Sequence, residues 1–334
     1  MTKIITKIIS VCCILWITAA CEKDNISNSY IDQNKDRMDK IAENFKRTIA
    51  SSETGWVMMV KSNLTSDIYA PVILKFDTAK NEVKITTVYG ITNNTTDYFR
   101  IANGTGSPQL IFTTGSIMST LYRVGAAASD ITDHIYNVVS VKDDEIQIQP
   151  YRSGNVYSKE GGVVYKLFKR PTEWTWADDK IEFDFTSDAF TNNINAVTGE
   201  MKFDYLNSNT SKTFEWRFWR WSANGEFFRI RDLFDVQYNI GAGGFKPANY
   251  LIVTGKITNN VNTTAMVGHN AISLFPFPYN NGTDQEVKKL INQINTHYLI
   301  FKNRTNVGEN VKMEFVAYGK DGQEVLKAFY DNKR

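Results

Sequence analysis

The strongest constraint on this fold is a two-residue apolar period that recurs along the chain, broken each time by a short polar turn. Val72, Leu74 and Phe76 share a parity, the turn Asp77-Thr78-Ala79-Lys80-Asn81 follows, and Val83, Ile85 and Tyr89 resume the pattern. Alternate side chains of a strand point to opposite faces, so each such segment predicts one arm of a half-buried hairpin. Ile135, Val139 and Val141 across Lys142-Asp143-Asp144 from Ile146 and Ile148 predict a second hairpin. Val311, Met313, Phe315 and Ala317 across Lys320-Asp321-Gly322 from Val325 and Phe329 predict a third. Strands joined by turns this short run antiparallel, because parallel strands need a long crossover.

Two stretches change the period. Between Asp32 and Ser51, residues Met38, Ile41, Ala42, Phe45 and Ile49 recur at steps of three and four, an apolar stripe on an otherwise charged helix that ends before Gly55. From Thr283 to Tyr298, residues Val287, Leu290, Ile291 and Ile294 do the same, and Thr283 with Glu286 forms a capping box. The expected fold class is therefore α+β, predominantly antiparallel β-sheet, with an N-terminal amphipathic helix and one helix near the C-terminus. A length of 334 residues exceeds what one core usually serves. The punctuation Arg170-Pro171-Thr172 divides two β-rich halves, 32–170 and 171–334, or marks an ordinary turn inside one unit.

The N-terminus decides which residues belong to the mature protein. Lys3 and Lys7 are the only charges among the first twenty residues, and the apolar run Ile8 to Ala20 follows them. That run is short of the roughly 20 residues a spanning helix needs, and it has the layout of a secretory signal. Thr18-Ala19-Ala20-Cys21 resembles a lipobox, with Thr18 where Leu or Val is commoner. The resemblance implies that residues 1–20 are removed, that Cys21 carries the lipid, and that 21–31 form a tether. Several acyl chains together hold a protein at a membrane effectively permanently. Cys12 and Cys13 leave with the signal, so the mature body has no further thiol for a disulfide or a thiolate metal site. Lys23-Asp24 resembles the short charged signal that sends Bacteroidetes lipoproteins to the outer face of the outer membrane. It implies a cell-surface location, with the periplasmic face as the alternative.

Without Lys3 and Lys7 the 38 basic residues become 36, against 36 acidic ones. A formally neutral body argues against a nucleic-acid partner or a general binder of anionic membranes, both of which need a basic excess.

Ser52-Glu53-Thr54-Gly55-Trp56 after the helix, Ser107-Pro108-Gln109-Leu110-Ile111-Phe112, and Gly161-Gly162-Val163-Val164-Tyr165-Lys166-Leu167 resemble the Bacteroidetes lipoproteins of the domain of unknown function 4302 family. The likeness covers residues 30 to 170. It implies an association with outer-membrane uptake components of the SusC and SusD type and assigns no catalytic residue.

Motifs of chemistry are few. His134, His269 and His297 lack a second ligand at metal-site spacing, and no nucleophile elbow, zincin motif or phosphate-binding glycine loop occurs, so no cofactor and no metal are expected. Asp178, Asp179, Glu182, Asp184 and Asp188 cluster, as acids do on solvated turns; a carboxylate-dependent hydrolase needs two of them converging in a cleft. The positive signal is aromatic. In Phe214-Glu215-Trp216-Arg217-Phe218-Trp219-Arg220-Trp221 one strand face reads as core, while Trp219 and Trp221 share the other with charge, which suits stacking on a sugar ring. Trp174 and Trp176 form a second candidate platform, and filling a disulfide-free core is the competing use of all these rings. Three functions follow: a non-catalytic component that binds a glycan or protein ligand in nutrient uptake, a structural or adhesive surface protein, or a hydrolase. The first is expected, and an enzyme is not.

Overall fold

The computed structural model describes residues 24–61, 68–88, 96–104, 106–114, 116, 118, 133–153, 162–177, 197–219, 226–227, 239–240, 250–256, 260–268, 271–274, 292–307 and 310–331. One long helix, α1 (Asp24–Ala50), precedes strands β1 (Trp56–Lys61), β2 (Tyr69–Asp77), β3 (Glu82–Thr87), β4 (Thr96–Asn103), β5 (Pro108–Phe112), β6 (Ile135–Val141), β7 (Glu145–Pro150) and β8 (Tyr165–Lys169). Each pairs antiparallel with the next, and β8 returns to β1, so the eight strands close into an up-and-down barrel. Closure leaves no free edge for another chain to pair with.

The remaining strands are β9 (Val197–Tyr205), β10 (Thr210–Trp219), the two-residue β11 (Glu226–Phe227) and β12 (Asn239–Ile240), then β13 (Tyr250–Lys256), β14 (Asn260–Gly268), β15 (Ala271–Leu274), β16 (Tyr298–Val307), β17 (Asn310–Tyr318) and β18 (Glu324–Asp331). With the β11–β12 ribbon set aside, β9, β10 and β13 to β18 pair in chain order, and β18 returns to β9. The two rings meet where Tyr318 of β17 lies opposite Tyr69 of β2.

The first hairpin forms for local reasons. The Asp77 carboxylate accepts the amides of Ala79 and Lys80 at 3.1 and 3.2 Å, and Asn81 takes a positive φ of 56°. Asp and Asn suit such turns because their short side chains bond the nearby backbone and tolerate the left-handed region. The resulting register sets Leu74 opposite Ile85 and Val72 opposite Thr87. Continued round the ring, Thr87, Val72, Met58, Leu167 and Ile146 stand in one row, all fully buried. An eight-stranded ring is just wide enough for its own side chains, and here they fill it.

Strand β1 departs from alternation because both its faces are covered. Trp56 and Met58 point into the ring, while Val57 and Met59 on the outer face are also buried. Phe168 and Ile73 flank Val57 on that outer face, and Phe168 in turn meets Trp174 edge-on. A strand buried on both sides reads as a continuous apolar run, as Trp56-Val57-Met58-Met59-Val60 does.

Two expected faces are corrected. In β6 Tyr136 and Val138 face inward, and Val139, the extra residue of a bulge between Val138 and Ser140, is 51% exposed. In β18 the inward residues are Leu326, Ala328 and Tyr330, opposite Ala317, Phe315 and Met313, while Phe329 is 38% exposed. Of the expected helix from Thr283, residues 292–294 are helical and 283–291 lie outside the described residues.

Helix α1 closes one end of the first ring. Its buried stripe is Met38, Phe45 and Ile49. The Trp56 indole donates to the Ile49 carbonyl at 3.1 Å, at the start of β1, and the Asn103 amide donates to the Asp39 carboxylate at 2.8 Å, at the end of β4 on the far side of the ring. The Asp39–Ile49 stretch rises about 15 Å, which matches the roughly 16 Å diameter of an eight-stranded ring. Contacts with β2, β4, β5 and β6, strands on opposite sides, show that the helix crosses the mouth.

Candidate functional site

The ends of the first ring differ. At the helix-covered end the connections are residues 78–81, 104–107 and 142–144. At the other end they are residues 62–68, 88–95, 113–134 and 151–164. Connections of the latter lengths are uncommon between barrel strands, and long loops on a rigid scaffold are where binding residues concentrate.

A buried acid fastens two of these connections to each other. Asp133, just before β6, is 1% exposed. Its carboxylate accepts Arg152 Nε at 2.9 Å and Arg152 Nη2 at 2.6 Å, together with the amides of His134 at 2.7 Å and Arg152 at 3.2 Å. The Asp133 amide in turn donates to the buried Tyr136 hydroxyl at 2.9 Å. Burial alone pushes the Asp133 carboxyl up, but the Arg152 guanidinium and the backbone donors outweigh it and hold the group below the usual carboxylate range. Next to it, Ser153 Oγ accepts the Val163 amide at 2.8 Å, closing the base of the β7–β8 connection. The rim so built exposes the Tyr151 ring, the outer part of Arg152, and Val163 and Val164. A cation fixed by two hydrogen bonds beside an exposed phenol offers charge-assisted bonding and stacking from one place. Sequence reasoning missed this pair, since nothing local links two residues 19 positions apart.

The expected aromatic platforms fare differently. Trp174, just before the short 3-10 turn Thr175–Ala177, and Trp176, within it, are each 2% exposed. Trp174 stacks on Tyr318 at 4.4 Å and meets Phe168 edge-on at 6.3 Å, and the Trp176 indole donates to the Tyr318 hydroxyl at 3.2 Å. They are therefore the seam between the rings and no surface platform, because the apolar outer face of β8, β1 and β2 draws them in. On β10, Trp216 is fully buried and Glu215 exposed, the alternation of a barrel wall. Trp219 ends β10 with its backbone opposite Ile252, while its side chain and the whole of Trp221 lie outside the described residues. Cys21, His269 and the acids Asp178, Asp179, Glu182, Asp184 and Asp188 also lie outside them.

Two further titratable groups are engaged in the packing of the fold. Glu145 pairs with Lys166 at 2.9 Å across β7 and β8. His297 is buried, and burial pushes its pKa down to about 3, so it stays neutral at any physiological pH. Among the described residues no group of three His, Cys, Asp or Glu could hold a metal ion, and no helix is long and apolar enough to cross a membrane.

No family model matches the chain, and no curated protein does. Among solved structures, a crystal structure of a protein of unknown function of the DUF3598 family from Nostoc punctiforme is similar at 8% identity, covering 88% of this chain and 98% of that chain, with a TM-score of 0.21. A score that low bears on neither fold nor function.

Proposed function

We propose that this chain is a lipoprotein of the domain of unknown function 4302 type, anchored through Cys21 at the outer membrane, whose body is a non-catalytic binding module facing the cell exterior. The long-connection end of the first ring is its binding face. One observation carries the reading: one end of a filled barrel is shut by a helix and short turns, and all four long connections leave from the other. A barrel whose interior is occupied by its own side chains binds with its loops. The lipobox-like residues before Cys21 and the charged Lys23-Asp24 pair support the address. Partners in this reading are a glycan or protein ligand and SusC and SusD type uptake components. Trp219, at the end of β10, and Trp221 remain the candidate stacking pair.

The test is titration of the body, residues 22–334, with a panel of polysaccharides and host glycoproteins, followed by tryptophan fluorescence and calorimetry. A ligand from the panel loses at least tenfold in affinity with Tyr151→Ala if the first ring binds it, and with Trp219→Ala if the second does. Asp143→Ala at the closed end leaves it unchanged. A ligand indifferent to Tyr151→Ala but lost with Asp143→Ala overturns the assignment of the face, and a silent panel counts against glycan binding altogether.

A further inference from the structure

We infer that helix α1 is a rigid stalk as well as a plug, and that it presents the β4–β5 side of the first ring to the lipid surface. The inference rests on the Cys21 anchor proposed above. Helix α1 runs from Asp24, three residues after Cys21, to Ala50, and its described anchor points on the ring lie between Met38 and Ile49. Between Asp39, held by Asn103, and Ile49, held by Trp56, it spans the mouth. Towards its N-terminus it therefore leaves the ring past the rim at the end of β4, three strands round the ring from the start of β1.

The stretch from Asp24 to Asp39 rises about 22 Å in the same helix. Its sequence, Asp24-Asn25-Ile26-Ser27-Asn28-Ser29-Tyr30-Ile31-Asp32-Gln33-Asn34-Lys35-Asp36-Arg37, is polar, carries both signs of charge, and has no apolar stripe that continues past Ile31. A helix that lies in the headgroup region needs a sustained apolar face and a basic one, and this stretch has neither. It stands off the surface and acts as a spacer. The body point nearest the membrane is then the β4–β5 turn, residues 104–107, and the turn before β1 is farther away by about the ring diameter, roughly 16 Å. Neither mouth of the ring faces lipid, so its long connections stay open to a partner.

The thiol-free body makes this measurable. The acylated full chain carrying either Ser107→Cys or Glu53→Cys is labelled with one donor fluorophore and reconstituted in phosphatidylcholine vesicles containing a headgroup-labelled acceptor lipid. Energy transfer from position 107 exceeds that from position 53 at least twofold. Inserting Gly-Gly-Ser-Gly after Asn34, which breaks the stalk and leaves the plug, brings the two positions together. Equal transfer from both, or more from 53, in protein that floats with the vesicles overturns the stalk alone. Protein that does not float overturns the anchor and the stalk with it.

Discussion

The Tyr298 hydroxyl donates to the main-chain oxygen of Tyr69 at 2.6 Å, joining strands of different rings across 229 positions of sequence. The Tyr298 hydroxyl oxygen itself accepts the Tyr318 amide at 2.9 Å. One phenol thus extends the ladder between β2 and β17 at the point where the rings meet. Tyr298→Phe keeps the ring and its packing but takes the acceptor from the Tyr318 amide in a buried place. The expected cost is about 1–3 kcal/mol, read as a lower urea midpoint with an unchanged slope.

The stacked seam predicts a larger loss. Trp174 lies between Tyr318 of the second ring and Phe168 of the first, and Gly322, at a positive φ of 79°, has no room for a Cβ, which would sit 2.8 Å from the Phe168 ring. Trp174→Ala empties the centre of this contact and costs about 3–5 kcal/mol. The buried residues of both rings form one continuous core, so the transition stays single and both rings melt together. Two separated transitions in calorimetry of the unsubstituted body contradict a shared core.

How much of this was legible depends on how far apart the determinants lie. The β2–β3 hairpin was readable because Asp77, Asn81 and the flanking alternation are local. The bulge at Val139 was not, since the extra residue is defined only against its partner strand, and a single insertion reverses every later side chain. The same holds for Phe329, where an irregularity between Ala317 and Tyr318 shifts the pairing with β18. Ring closure was invisible because β1 meets β8 through pairs such as Met58 with Leu167, which no window of sequence contains. For Trp174 and Trp176 the sequence leaves both uses open, a surface platform and core filling. What buries them is the apolar outer face of a strand far away in the chain. Asp133 and Arg152, an ion pair built into the loop end, carried no local signal at all.

That ion pair predicts a local effect. Asp133→Ala removes the acceptor for three backbone amides, those of His134, Ile135 and Arg152, and for the Arg152 side chain. Because Arg152 is 40% exposed and can turn to water, the cost is about 2–3 kcal/mol, below that of a fully buried pair. Proteolysis detects it before global unfolding does, as faster cleavage within 113–134 and 151–164 at a protease concentration that spares the parent. The Asp133 carboxyl is depressed in the folded state, so its contribution is complete above the unfolded value near pH 4 and fades as pH falls further.

His297 governs a different and milder pH range. It is 6% exposed, packed edge-on against Tyr298 at 5.0 Å, and burial lowers its pKa to about 3. In the unfolded chain the same imidazole titrates near pH 6.5. Above about pH 6.5 both states hold it neutral, and it has no effect on stability. Between about pH 6.5 and pH 3 the unfolded chain takes up a proton that the folded chain refuses, so stability falls with falling pH at up to about 1.4 kcal/mol per unit. Depressed carboxylates act only below about pH 4, which leaves pH 5 to 6.5 as a window in which this histidine dominates. Urea titrations at pH 7.5, 6.5, 5.75 and 5.0 show the parent losing about 2 kcal/mol across that window, while His297→Gln, polar and of similar length but without a titrating ring, holds nearly level. An equal slope in both proteins means that the buried imidazole is charged in the folded state, and the reading of this position as a neutral core residue fails.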